Sequence, residues 1–433
     1  MSTKEGIMLK AYRGDIIFTP TPQEFSVLED GFVLVEDGTV KDVVGSLGAE
    51  YAEVPVIDRS GCLIIPGFND LHVHAPQYPQ AGLGFDCELL PWLDRYTFVD
   101  EARFADPDVA ERWYRRFLVD LWQAGTLRFS AFATLHTAST WRLMELAQES
   151  GLRPLIGKVN MDRNAPDSLI ESTAQSLADT ETLIHRAAER TPNVGFIVTP
   201  RFVPSTTPEL MEGLGELVAH YHLPVQSHLD ENRSEVAWVR DLHPDIPTYA
   251  QVYEHYGLMP RGRTVMAHCI WLNDAERALL RDRQVTVAHC AQSNLNLQSG
   301  IMPARRYLDM GLQVALGSDV AAGHVLDMTR HIVMSIEASK ALRFIPGHED
   351  ERPLRLAEAF YMATKQGGSF FGRVGSFESG YDFDALVVRE GDNLLDLSVE
   401  ERLERFLYAK GGAAIEERYV DGALVPRPFA EKE

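Results

Sequence analysis

Between about residues 66 and 370, short apolar runs rich in Val, Ile and Thr alternate with longer helix-like stretches. The runs are LIIPGFNDLHVH, TLRFSAFATLH, RPLIGKVNMD, NVGFIVTPRF, PVQSHLDEN, RTVMAHCIW, VTVAHCAQSN and QVALGSDV, eight β/α units in about 300 residues. Strands that alternate with helices pair in parallel, and eight units over this length suit a closed (β/α)8 (TIM) barrel. Alternation alone is also compatible with an open doubly wound sheet. No GxGxxG follows an early strand, however, and no GxxxxGK[ST] occurs. The pair Gly82-Leu83-Gly84 lacks both the third glycine and the preceding strand.

The two ends have a different texture. YRGDIIFTP, FSVLEDGFVLVEDGTVKDVVG and YAEVPVID near the start, and GYDFDALVV and ERYVDGALVPR near the end, are β-rich runs around Asp-Gly turns such as Asp37-Gly38. Neither end alone has enough strands for independent stability. Residues 1–65 and 371–433 are therefore expected to build one composite sheet domain beside a catalytic barrel at 66–370.

Sixty-three acidic against 41 basic residues give a formal charge of −22. That excess repels phosphate backbones and anionic lipid, which argues against nucleic-acid binding or a polybasic membrane role. No apolar run reaches the roughly 18 residues of a membrane span, and the opening Met-Ser-Thr-Lys-Glu-Gly has no charged-then-apolar signal pattern. The four cysteines, at 62, 87, 269 and 290, form no close pair and read as reduced thiols. A cytoplasmic location is the expectation.

In a barrel the chemistry sits at the C-terminal ends of the strands. His72 and His74 end the first strand, His228 the fifth, His268 the sixth and Asp319 the eighth. Residues two apart on a strand share a face, so His72 and His74 can point into one space. Neutral imidazoles with a carboxylate suit Zn²⁺ or Fe²⁺, and a catalytic ion keeps a position open for water. His136 and His289 also end strands, and position alone leaves them in the candidate set. His220, His222, His243, His255 and His348 fall in helical or loop context and read as surface residues. Glu231 follows His228 by three; a helical turn beginning there would aim both into the site, with Glu231 as a proton carrier. For Asp230, compensation of a helix dipole is the favoured role.

PGFNDLHVHAPQY, TLHTAS, GKVNMDRN, TPRF, SHLDEN, AHC, CAQSNLNLQSG and ALGSDVAAG occur in that order. Together they closely resemble the guanine deaminase family, cyclic-amidine hydrolases of the amidohydrolase superfamily, from about Ile65 to Val388. The resemblance implies a (β/α)8 barrel with a small β-sandwich formed by both termini, a homodimer, and one Zn²⁺ per subunit held by His72, His74, His228 and Asp319. It implies that Glu231 shuttles protons, that Asp319 takes the proton of the attacking water, and that His268 stabilises the oxygen that adds to the ring. Gln77, Arg201 and Phe202 match the family's guanine-binding positions, with His228, Glu231 and Asp319 also facing the base. The implied reaction is hydrolytic deamination of guanine to xanthine and ammonia, with metal-activated hydroxide adding at the amine-bearing carbon.

Two departures touch no implied ligand: Leu127-Arg128 stands in strand two where threonine-like residues are expected, and Ser318 precedes Asp319. Lys158 lies on strand three, whereas the carboxylated lysine of two-metal relatives comes from strand four. GFIVTPRF has none, so the site is expected to be mononuclear. The aromatic-rich segment from Gln80 to Asp106 is expected to form pocket wall or dimer contact. The alternatives are deamination of another aminoheterocycle (8-oxoguanine, a pterin, cytosine or a triazine) and an inactive scaffold. The scaffold reading is disfavoured because every implied ligand is retained.

Overall fold

The computed structural model describes residues 8–391 and 394–429. Eight parallel strands form the barrel, and each of the eight runs above supplies one. The first is Phe68–His74 and the second Thr126–Phe132; every residue of both is buried, as expected where the barrel interior covers one face and helices the other. Leu155–Gly157 and Gly195–Phe196 continue this half in register. Val225–Leu229, Thr264–His268, Thr286–His289 and Gln313–Leu316 form the other half. A parallel bridge between Val198 and Val225 joins the halves on one side. On the other, Asp319 N donates to His72 O at 2.8 Å and His74 N to Val320 O at 2.9 Å. These bonds close the barrel.

The surrounding helices follow from local chemistry. Asp106 caps Pro107–Gln123 by accepting from Asp108 N, with proline in the first turn, where its missing N–H costs nothing. Ala110, Tyr114, Phe117, Leu118 and Leu121 then fall on one buried stripe. Ser172 caps Thr173–Arg190 in the same way, above a buried stripe that includes Thr180, Leu183, Ile184 and Ala187.

The β-rich ends meet in one seven-stranded sheet, ordered Ala423–Leu424, Ile415–Val420, Ala385–Val388, Val56–Pro66, Leu9–Thr21, Glu24–Glu36 and Thr39–Val44. The implied sandwich takes the form of this single sheet curled over on itself. Its far edge returns to the C-terminal segment through Val40 N to Tyr381 O and Phe383 N to Gly38 O, both 2.8 Å. Period-two alternation gives it two apolar faces. Tyr12, Ile16, Cys62, Ile64 and Phe383 fill the curl, while Ile17, Leu63, Ile65 and Leu386 join the main core. Val56–Pro66 passes straight into the first barrel strand through Gly67, where a Cβ would come within 2.3 Å of a Leu127 methyl.

Arg128, the unexpected residue of strand two, ties barrel to sheet. Its Nε lies 2.7 Å from Asp384 Oδ2, and its Nη2 lies 2.6 Å from Asp421 Oδ1. Asp384 is 1% exposed, so its carboxylate depends on this partner. Arg128→Met leaves that charge buried and unpaired. We expect it to lower the melting temperature, by an amount equivalent to about 3–5 kcal/mol.

Candidate active site

All implied ligands converge at the C-terminal mouth of the barrel. His72 and His74 share a strand face, and their Nε2 atoms lie 3.3 Å apart. His228 Nε2 lies 3.2 Å from His74 Nε2. Asp319 Oδ1 is 3.2 Å from His72 Nε2 and 3.4 Å from His74 Nε2. Donors bound tetrahedrally to one ion at about 2.1 Å stand about 3.4 Å apart, so the set fits a metal ion. Nδ1 of His228 donates to Arg201 O at 2.6 Å, which aims the Nε2 lone pair inward. His268 stands slightly further out, with Nε2 3.8 Å from Asp319 Oδ2 and 3.4 Å from Glu231 Oε2. Its Nδ1 is held by Asn294 Oδ1 at 2.8 Å.

Asp230, His268, Cys269 and Asp319 all have positive φ, between 49° and 70°, a region that side chains with a Cβ rarely adopt. The strain is held in place by neighbours: Cys269 N donates to Leu229 O at 2.8 Å, beside the closure bond from Asp319 N. This geometry corrects two expectations. Glu231 does not reach the site on a helical turn shared with His228, because the strand ends at Leu229 and the next helix begins only at Arg233. The left-handed kink at Asp230 turns Glu231 inward instead. Glu235 fixes the loop by accepting from Glu231 N at 3.0 Å and Asn232 N at 3.1 Å. Ser299 Oγ donates to Glu231 Oε1 at 3.2 Å. Asp230 is not the expected dipole-compensating residue. It is buried, and desolvation together with the charges of Glu276 and Glu235 pushes its carboxyl well above the usual range.

Gln77, Arg201 and Phe202 line the same cleft, along with His74, His228, Glu231, His268 and Asp319. Leu89, Trp92, Leu93 and Leu297 supply its apolar wall. The first three belong to the aromatic-rich segment, which is therefore pocket wall. His136 and His289 stay outside the donor group. His289 is buried, and its imidazole is pushed down to about 3 by desolvation and by His268 and His331. His220, His222 and His255 are exposed as expected, but His243 is buried, 7% exposed. Lys158 forms a buried ion pair with Glu171. Three supporting residues escaped the sequence reading: Glu101, Asn294 and Glu235. Asn294 lies within CAQSNLNLQSG; the other two are acids with no distinguishing sequence context.

The chain matches the Amidohydrolase family over residues 63–425. It is 38% identical to the guanine deaminase of Dictyostelium discoideum over 97% of this chain and 98% of that one. It is 33% identical to the guanine deaminase of Escherichia coli K12, over 96% and 98%. Its fold superposes with a TM-score of 0.93 on a guanine deaminase from C. acetobutylicum whose active site holds guanine, 47% identical over 96% of this chain and 100% of that chain. The chain belongs to the amidohydrolase family.

This amidohydrolase is a hydrolase of carbon–nitrogen bonds, and its buried His/Asp group implies a bound metal. Burial pushes the imidazoles of His74 and His228 well below their ordinary value, with His72 adding to the effect on both. Neutral imidazoles are the form that binds a metal. Burial works against charge on Asp319 too, but His72, His268 and His74 outweigh it and hold the carboxyl well below the usual range. Ser318 has a role beneath the group. Its N–H donates to Asp70 Oδ1 at 2.9 Å and its hydroxyl to Asp70 Oδ2, while the same Oδ1 accepts from His72 N at 3.1 Å. Elemental analysis of the purified protein should find one metal ion per chain. His72→Ala should abolish it while leaving the far-ultraviolet circular dichroism unchanged.

Proposed function

We infer that this amidohydrolase deaminates guanine, adding water to give xanthine and ammonia. The observation that carries the reading is a single cleft. It is lined by Gln77, Arg201 and Phe202, groups suited to a flat base with a ring carbonyl, together with His74, His228, His268, Asp319 and Glu231. The relatives named above support it. Guanine is neutral, which suits a chain of charge −22. The reading includes a homodimer working in the cytoplasm.

One Zn²⁺ held by His72, His74, His228 and Asp319 would lower the pKa of water so that a nucleophile exists near neutral pH. Asp319 takes the proton released as water adds to the amine-bearing ring carbon. Glu231 is suited to deliver a proton. Its burial, with Asp319 and Glu235 nearby, pushes its carboxyl well above the usual range, which favours the proton-bearing form of the acid. It gives that proton to a ring nitrogen, which keeps negative charge off the ring, and then assists protonation of the departing ammonia. His268, oriented by Asn294, hydrogen-bonds the oxygen newly attached to carbon. Arg201 donates to the ring carbonyl, Gln77 both donates and accepts, and Phe202 shapes the pocket around the ring.

Incubation with guanine should bleach its ultraviolet absorbance and release equimolar ammonia. If guanine stays inert while another aminoheterocycle turns over, the substrate assignment fails. Glu231→Gln should keep the metal and lose about 10²–10⁴-fold in turnover. Full activity in that variant would remove Glu231 from the chemistry.

A further inference from the structure

Arg201, Gln77 and Glu101 are each no more than 3% exposed. A guanidinium buried this deeply needs a counter-charge and needs its N–H groups satisfied. Glu101 meets both needs. It sits on the short helix Phe98–Ala102, within the segment that follows the first barrel strand. Its Oε2 lies 2.6 Å from Arg201 Nη1 and its Oε1 3.1 Å from Nη2, a two-pronged pair that fixes the plane of the fork. The same Oε1 accepts from Gln77 Nε2 at 2.9 Å. That bond also sets which way the Gln77 amide faces, and its Oε1 lies 3.4 Å from Ala321 N. Phe98 adds its ring beside the guanidinium, 5.3 Å from centroid to Cζ. Glu101 itself does not line the cleft.

One carboxylate therefore orients two base-reading side chains and cancels the only formal cation among the residues lining the cleft. We propose that Glu101 is a positioning residue that makes the cleft select a neutral aminopurine and release an anionic one. The inference rests on the guanine reading and deepens it. Guanine is neutral near pH 7, whereas xanthine, with a second ring carbonyl in place of the amine, is the stronger acid and partly anionic there. An uncompensated Arg201 would hold that anion, and product would accumulate on the enzyme. Paired with Glu101, Arg201 still donates hydrogen bonds to a carbonyl but offers no net charge to bind an anion. The pairing sharpens substrate pose and speeds product loss together.

Glu101→Gln keeps the shape and removes the charge; Glu101→Asp keeps the charge and shortens the reach. The test measures kcat and KM for guanine, inhibition by xanthine on both sides of its ring-proton titration, metal content and melting temperature, all on the metal-loaded enzyme. On the acid side of the xanthine titration, where product is neutral, Glu101→Gln should retain its metal and raise KM about tenfold or more, with a far smaller change in kcat. Its Ki for xanthine on the alkaline side should fall below that of the unaltered enzyme. Glu101→Asp should show a raised KM but the original response to xanthine. Unchanged KM and Ki in Glu101→Gln would overturn the proposal, as would loss of metal, kcat and KM together. If Glu101→Gln does not fold, an unaltered KM in Glu101→Asp overturns it as well. Inactivity of the unaltered enzyme on guanine would sink the substrate reading and this proposal together. Normal turnover with unresponsive variants would sink this proposal alone.

Discussion

Closure of the barrel between its first and last strands is the constraint on which the rest depends. The bonds that close it, from Asp319 N to His72 O and from His74 N to Val320 O, are made by the backbone of three of the implied ligands. Fold and site are therefore not separate achievements of this chain. When the eighth strand docks on the first, a carboxylate and two imidazoles come within 3.4 Å of one another, and the pair Asp70–Ser318 locks the joint from below. A barrel closed in another register would leave the donors apart and several buried polar groups unpaired.

Desolvation governs what those groups can do. Nearly every polar side chain at the mouth is turned by a second group behind it: His228 by a carbonyl, His268 by Asn294, the Glu231 loop by Glu235, and Arg201 by Glu101. Each such bond fixes an orientation where water is scarce, so little reorganisation remains to be made when a substrate arrives. The strained backbone at Asp230, His268 and Asp319 belongs to the same economy of position, since side chains aimed inward from strand ends require turns that ordinary residues resist.

Much of this was legible in the residues. The eight barrel strands are apolar, β-branched runs, and each polar residue at the end of such a run stands out because apolar neighbours surround it. His72 and His74 are legible for that reason, as is the shared mouth of His228, His268 and Asp319. Three kinds of information were not. The left-handed turn at Asp230 depends on tertiary bonds, so spacing alone suggested a helical turn that does not exist. Glu101 is one acid among 63, and only the burial of its partner Arg201 shows that a counter-charge is needed. Arg128 looked like an intrusion into a buried strand because its three aspartate partners, at 382, 384 and 421, lie more than 250 residues later.

The composite sheet has a consequence for how the molecule is made. Its central strand Val56–Pro66 pairs with Leu9–Thr21 on one side and Ala385–Val388 on the other, and it leads directly into the strand that carries His72 and His74. On the ribosome, the whole barrel emerges before Ala385–Val388 and Ile415–Val420 are available. Until then one edge of Val56–Pro66 is open and Arg128 has none of its aspartates. Nascent chains thus pass through a long interval with an unpaired strand edge and a buried cation awaiting its partners, the state most exposed to aggregation and chaperone capture. Synthesis of Ala385–Val388 and Ile415–Val420 seals the ligand-bearing strand from behind, so a chain that stops before them is left with an unfinished scaffold beneath its donor group.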